Sequence, residues 1–177
     1  MTAPKAVGET PAEIVIRDAT AGDLQAINDI YNWYVGNCTC TWQMEKETMD
    51  SRRAWFAAHG VNAPVLVAER GGEIIAWASL SRFHPHEEGC ERTLEDSIYV
   101  RPDAQKMGLG TRLLAALVAR AADAGCHTVI ASISGDQEGS IALHRKFGFT
   151  EVGRLRQAGK KFGKWLDWVY MQKMIEP

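Results

Sequence analysis

The sequence predicts an α/β (α+β) fold: a mixed, mostly antiparallel central sheet flanked by helices. Three observations carry this. Apolar patterns of period two and period 3.6 succeed one another in the order βααββ-βαβαββ. One strand, TLEDSIYV, leads through RPDA into the glycine-rich QKMGLG and then into a strongly helical segment. A glycine-centred hairpin and two closing strands demand antiparallel pairing, which excludes a doubly wound parallel sheet.

The elements follow in order. EIVIRDAT, residues 13 to 20, alternates apolar and polar and reads as the first strand. Thr20 and Asp23 can cap a helix whose stripe is Leu24, Ile27, Ile30 and Tyr31. A second helix is expected from Thr48 to His59, burying Met49, Trp55 and Phe56. PVLVAERGGEIIAWASL is a hairpin turning at Gly71-Gly72. After the irregular SRFHPHEEGCER comes the fourth strand, TLEDSIYV, and then the Ala- and Leu-rich helix TRLLAALVARAADAG, stopped at Gly125. HTVIASI is a strand, SIALHRKF a short helix ended by Gly148, and FTEVGRL and WLDWVYMQKM are the closing strands. The expected organisation is one domain over 13–177 behind a disordered tail over 1–12.

Composition excludes several classes. The 177 residues are 46% hydrophobic and 24% charged, ordinary for a globular protein, and a net charge of −2 makes no case for nucleic acid or a membrane surface. No apolar run reaches the roughly 18 residues of a membrane span. MTAPKAVGETPA lacks the apolar centre of a signal peptide, so the expected location is the cytoplasm. Cys38, Cys40, Cys90 and Cys126 include one CxC but no second pair at ligand spacing, which favours reduced thiols over a metal site. GRLRQAGKKFGK holds five basic residues and no acid; a solvated loop between strands is the commoner reading than nucleic-acid contact.

QKMGLG lies after a strand and at a helix start, where free N–H groups and the helix dipole favour an anion. It lacks GxxxxGK[ST], and Leu113 stands where GxGxxG needs its third glycine. By itself the loop is either a tight turn or an anion cradle. Its surroundings are more specific. YVRPDAQKMGLG followed by an amphipathic helix resembles the acetyl-CoA loop of the GNAT acetyltransferase superfamily, and SIALHRKFGF is similar to that superfamily's other signature. EDSIYVRP, LHRKFGF and AGKKFGKWLD together resemble the phosphinothricin and methionine-sulfoximine acetyltransferases, from about Ile14 to the end.

The resemblance implies a GNAT-type fold, acetyl-CoA as co-substrate, no metal, a small-molecule amine acceptor and a homodimer. It assigns the pyrophosphate to the amides of Lys106, Met107, Gly108, Leu109, Gly110 and Thr111, and the pantetheine arm to the strand residues Ile98, Tyr99 and Val100. Gln137 falls where relatives carry a cofactor-binding Asn, and Lys146 is expected near the CoA phosphates. Glu95 matches the family's catalytic glutamate, a base for an amine that is only about a tenth neutral at pH 7. His144 matches the acid that protonates the leaving thiolate, with the Val100 N–H as oxyanion donor. Trp42 matches an aromatic of the acceptor pocket, and the likeness of GRLRQAGKKFGK to the family's penultimate hairpin implies a lid beside that pocket or a dimer contact. Where relatives have a Trp-Arg or Trp-Lys pair this chain reads Phe83-His84, with Arg82 and Arg92 as candidate replacements for the acceptor's carboxylate. Two other readings remain: acetylation of protein N-termini or lysines, and a non-catalytic acyl-CoA-binding module.

Overall fold

The computed structural model describes residues 12–175. The tail expected over 1–12 lies, but for Ala12, outside them. The elements are β1 (Ile14–Asp18), a 3-10 turn (Ala21–Asp23), α1 (Leu24–Asn37), α2 (Met49–Ala57), β2 (Val65–Arg70) and β3 (Glu73–Arg82). There follow β4 (Thr93–Val100), α3 (Leu109–Asp123), β5 (Thr128–Ser134), α4 (Glu138–Lys146), β6 (Thr150–Lys161) and β7 (Lys164–Met174). Their order is the one read from the sequence. The strands form one seven-stranded sheet ordered β1-β2-β3-β4-β5-β7-β6, antiparallel throughout except between β4 and β5.

Local chemistry fixes the entries and turns. Asp23 accepts from the Thr20 backbone and hydroxyl and from both terminal nitrogens of Arg17, tying β1 to the start of α1. Thr48 caps α2 by accepting from the Ser51 N–H. The Gly71-Gly72 hairpin turn has φ of +61° and +85°, the left-handed pair that matches strand twist.

Alternation along the strands splits the core in two. Leu66, Ala78, Leu80 and Leu94 face Leu113, Leu114 and Leu117 of α3, all nearly inaccessible. Val65, Val67 and Trp77 face Leu24, Ile27 and Ile30 of α1. Burying each such side chain is worth about 1.5–3 kcal/mol.

The basic segment lies in a hairpin, as the resemblance implies, rather than in the solvated loop that charge alone suggests. It is the second half of β6, paired to β7 through a wide bulge between Leu155 and Gly159 and closed by a two-residue turn at Phe162-Gly163. Lys161 is 2% exposed and donates to the Thr41 carbonyl at 2.7 Å. The bulge lets the loop after α1 approach: the Trp42 ring lies against the bare backbone of Gly159 on one side and stacks on Trp168 on the other, at 4.9 Å and 20°.

The feature that makes a site is a short ladder. β4 and β5 are in register only over Thr93–Glu95 and Thr128–Ile130, and beyond that the strands part. Polar backbone groups at the end of β4 therefore face an open gap in the middle of the sheet.

Candidate active site

The gap between β4 and β5 is a cleft of about 480 Å³, walled by Asp96–Val100, Ala131–Ile133 and the start of α4. The Arg101 N–H bonds the Ile75 carbonyl on β3, so by antiparallel alternation Tyr99 also turns its backbone to β3 while Ile98 and Val100 turn theirs to the cleft. Tyr99 thus contributes a side chain but no amide pair. The Val100 carbonyl already accepts from the Tyr34 hydroxyl, which in turn accepts from Gln105 Nε2 at 2.9 Å; the Val100 N–H is left as a donor.

At the cleft's mouth Gly108 has φ +75°, a conformation that favours glycine, and caps α3. The first helical bond runs from the Arg112 N–H to the Gly108 carbonyl, so the N–H groups of Leu109, Gly110 and Thr111 have no acceptor within the helix. Lys106 and Gly110 line the cleft. Gly110 also has a packing role, since a Cβ there would meet Leu143 Cδ2 at 3.2 Å. The Leu109 side chain is core, at 1% exposed, so it offers an anion only its amide. Met107 and Thr111 are exposed, and Met107 Sδ meets Arg70. Lys146 is exposed and does not line the cleft. A cleft with free strand amides and a helix start with free N–H groups at one end fits the pantetheine arm and pyrophosphate of acetyl-CoA.

Glu95 and His144 lie on opposite faces of the sheet. Glu95 shares the α1 face with Ser97 and Tyr99. Burial pushes its carboxyl above the ordinary value; the Ser132 hydroxyl and His84 work against that shift, and Asp96 adds to it. His144, on α4, is buried against Asp96 of the other face, with Nε2 3.1 Å from Asp96 Oδ2. Its Nδ1 lies 2.7 Å from the Ser140 carbonyl, which can only accept, so Nδ1 carries a hydrogen. Burial alone would pull this imidazole down; the hydrogen bond to Asp96 and its charge outweigh that, and the value is raised. Both ring nitrogens are therefore engaged by the protein, though the ring still borders the cleft.

Gln137 precedes α4, borders the cleft, and donates through Nε2 to Thr39 Oγ1 at 2.9 Å. Cys40 borders the same cleft, and its N–H meets Cys38 Sγ at 3.2 Å. The Cys40 thiol and N–H together hold the Cys38 thiol below its usual range, against burial. All four cysteines are free, and among the described residues no cluster of His, Cys, Asp and Glu could hold a metal ion.

On the α1 face, Trp42, Trp168 and Tyr170 stack in series, and Phe83 meets Tyr170 edge-on at 6.5 Å and His84 at 4.3 Å. These aromatics surround Glu95's side of the sheet. Arg82 and Arg92, expected to serve the acceptor's carboxylate, lie elsewhere. They line a separate cavity with Asn62, Ala124 and Cys126, and Arg92 Nε donates to the Gly125 carbonyl at 2.8 Å. The reason is parity: Arg82 pairs with Leu94, one residue from Glu95 and hence on the other face.

Sequence reasoning missed Asp96, Tyr34, Gln105, Cys40 and Arg52. Asp96 had a local signal, a charge on the inward phase of an alternating strand. Gln105 opens the glycine loop itself, just after β4, whereas Tyr34, Cys40 and Arg52 come from segments far away in the chain.

This architecture is that of an acyl-CoA-dependent transferase, and the comparisons agree. Residues 27–149 match the model of the acetyltransferase (GNAT) family. The chain is 43% identical over 164 residues to an L-methionine sulfoximine/L-methionine sulfone acetyltransferase of Pseudomonas paraeruginosa, covering 92% of this chain and 95% of that one. It is 31% identical over 168 residues to the phosphinothricin N-acetyltransferase of Streptomyces coelicolor, covering 93% and 98%. Among solved structures, a phosphinothricin acetyltransferase of Sinorhizobium meliloti in complex with acetyl-CoA superposes with a TM-score of 0.88 at 35% identity, covering 92% of this chain and 88% of that one. The chain belongs to the GNAT acetyltransferase family, and its co-substrate is acetyl-CoA. Among the described residues no helix is long and apolar enough to cross a membrane.

Proposed function

We propose that residues 13–177 form one acetyltransferase domain that moves an acetyl group from acetyl-CoA to the α-amine of a small amino acid of the methionine sulfone, methionine sulfoximine or phosphinothricin type. Transfer is direct, with both substrates bound. The observation that carries this reading is Glu95: a carboxylate raised by burial, on the acceptor face, beside the point where the sheet opens. A raised carboxylate is a better match for an ammonium than an exposed one. Glu95 takes the ammonium proton, directly or through a water, and the neutral nitrogen attacks the thioester carbon. The oxyanion that forms is met by the Val100 N–H. The bond to sulfur then breaks, CoA leaves as a thiolate, and the second proton that the nitrogen sheds as the amide forms passes to that sulfur. His144 and Asp96 hold a proton between Nε2 and Oδ2 at the cleft wall, a store beside the departing sulfur, while Nδ1–H stays on the Ser140 carbonyl. Lys106 and the N–H groups opening α3 hold the pyrophosphate, Ile98 and Val100 the pantetheine, and Gln137 the adjoining wall. Trp42, Phe83 and His84 shape the acceptor pocket.

The enzyme acts as a homodimer in the cytoplasm. Supporting the dimer, β6 is an edge strand carrying exposed Val152 and Leu155, with Phe162 and Trp165 exposed at its turn. Supporting the compartment, the four thiols are free. The test is acetyl-CoA turnover against a panel of amino-acid analogues and N-terminal peptides, with thiol release followed. Release with the sulfone, sulfoximine or phosphinate amino acids is expected. Firm acetyl-CoA binding with no release for any amine would leave only a binding module.

A further inference from the structure

Arg52, on α2, is 4% exposed, the one buried arginine among the described residues. Its guanidinium is stacked among three aromatic faces, 4.8 Å from the Tyr31 centroid, 4.6 Å from Trp55 and 5.7 Å from Trp77. Its Nε donates to Asn28 Oδ1 at 3.2 Å. Among the described residues its Nη1 and Nη2 have no hydrogen-bond acceptor, and no carboxylate forms an ion pair with it. Aromatic faces offset part of the burial of a cation, but they do not replace the planar, two-pronged acceptor that a guanidinium matches.

The guanidinium lines a pocket of about 280 Å³ on the α1 face, with Tyr31, Glu47, Ser79, Ser97 and Tyr99. Glu47 acts on it through its charge but forms no ion pair or hydrogen bond with it; its carboxylate oxygens accept from the Ser51 hydroxyl and from Gln43 Nε2. A second donor in the pocket wall, Trp77 Nε1, is buried and has no partner among the described residues. Ser97 and Tyr99 line both this pocket and the β4–β5 cleft, so the two cavities meet across one strand. Ser97 stands two residues from Glu95 on the same face, a distance of about 6.5–7 Å along a strand.

We propose that this pocket is the carboxylate subsite of the acceptor, with Arg52 as the residue that binds the acid. The inference rests on the amino-acid acceptor proposed above and gives it a chemical requirement: the acceptor is an α-amino acid with a free carboxylate. One carbon separates carboxylate from amine in such a molecule. With the acid on Arg52, the amine turns past Ser97 towards Glu95 and the cleft. Arg52 also supplies the cation that Arg82 and Arg92 do not, because those two lie at another cavity.

The experiment compares L-methionine sulfone with its primary carboxamide, at an alkaline pH where both amines are largely neutral. For the unaltered enzyme, kcat/KM for the acid should exceed that for the amide by at least about 10-fold, mainly through KM, as a charge-assisted hydrogen bond implies. Arg52→Gln should bring the acid down to the level of the amide, leaving the amide's kcat and the acetyl-CoA affinity unchanged. Arg52→Lys should recover part of the preference. Equal use of acid and amide by the unaltered enzyme would overturn the proposal, and that comparison needs no variant to fold. An equal loss on both substrates in Arg52→Gln would overturn it too, as the mark of a merely structural arginine. If the unaltered enzyme acetylates no amine at all, the proposed reaction fails but the subsite is still decided by calorimetry. Binding of L-methionine sulfone that disappears in Arg52→Gln supports the subsite; binding that is absent or unchanged by the variant refutes it.

Discussion

Gly159→Ala tests the contact that couples the β6 bulge to the acceptor side. A methyl on Gly159 would overlap Trp42 Cζ3 and Cε3 and sit 3.1 Å from Cη2, where carbons prefer about 3.5 Å. The ring cannot retreat, because Trp168 is stacked behind it at 4.9 Å. Either the indole is expelled or β6 moves, and overpacking of this kind costs about 1–3 kcal/mol. At roughly 2–4 °C per kcal/mol for a chain of this size, Tm should fall by roughly 2–12 °C in a calorimetric scan. The control is a double-mutant cycle with Trp42→Ala: without the ring there is nothing to strike, and Gly159→Ala should then be nearly neutral. In the single variant the acceptor's KM should rise and that of acetyl-CoA should not. An unchanged Tm, or an equal penalty with and without Trp42, would refute the packing argument.

Glu95→Gln should lower kcat without altering acetyl-CoA affinity, and the rising limb of the pH–rate profile should move upward, leaving only the amine's own titration; collapse of cofactor affinity would contradict the role given to Glu95. The Asp23 carboxyl is held at about 2, against 3.8, first by Arg17, whose side chain is 35% exposed. A depressed value stabilises above the unfolded pKa and is lost as pH falls through the folded one. Asp23→Asn should therefore cost about 1 kcal/mol at pH 7, after discounting for screening, with a difference in urea midpoint that vanishes near pH 2. Asp96→Asn removes most of what holds His144 up, leaving only the Ser140 carbonyl against burial, so NMR titration should find its imidazole lowered relative to the unaltered protein. A raised histidine stabilises fully below its unfolded value and loses that contribution as pH rises through the folded one. The variant should accordingly lose the slope in stability around and above neutral pH.

The element order was legible because most strands and helices bury one face, and burial writes a period into the sequence. β6 was not, beyond its start. From Arg154 to Ala158 each residue is exposed, so no alternation marks the strand and β7 alone holds it in register. In the site, what is local was readable: the QKMGLG turn, its helix start and Glu95 on its strand face. What depends on assembly was not. Arg82 is near Glu95's strand in sequence, yet one position of register turns it to the other face. Arg52 precedes Glu95 by more than forty residues and looks in sequence like one of a pair of ordinary helix arginines. Only the closing of α2 over Trp77 makes it a buried cation.

The short β4–β5 ladder has a consequence for the protein's persistence as well as its chemistry. Two neighbouring strands that separate after three rungs leave an interior seam, and acetyl-CoA is what can close it. A ligand that binds only the folded chain raises its stability by mass action, about 2.7 kcal/mol at a hundredfold excess over Kd. The co-substrate is then also a folding partner. Amide exchange at Ile98 and Val100 should slow when it binds, and the enzyme's resistance to proteolysis should follow the supply of acetyl-CoA.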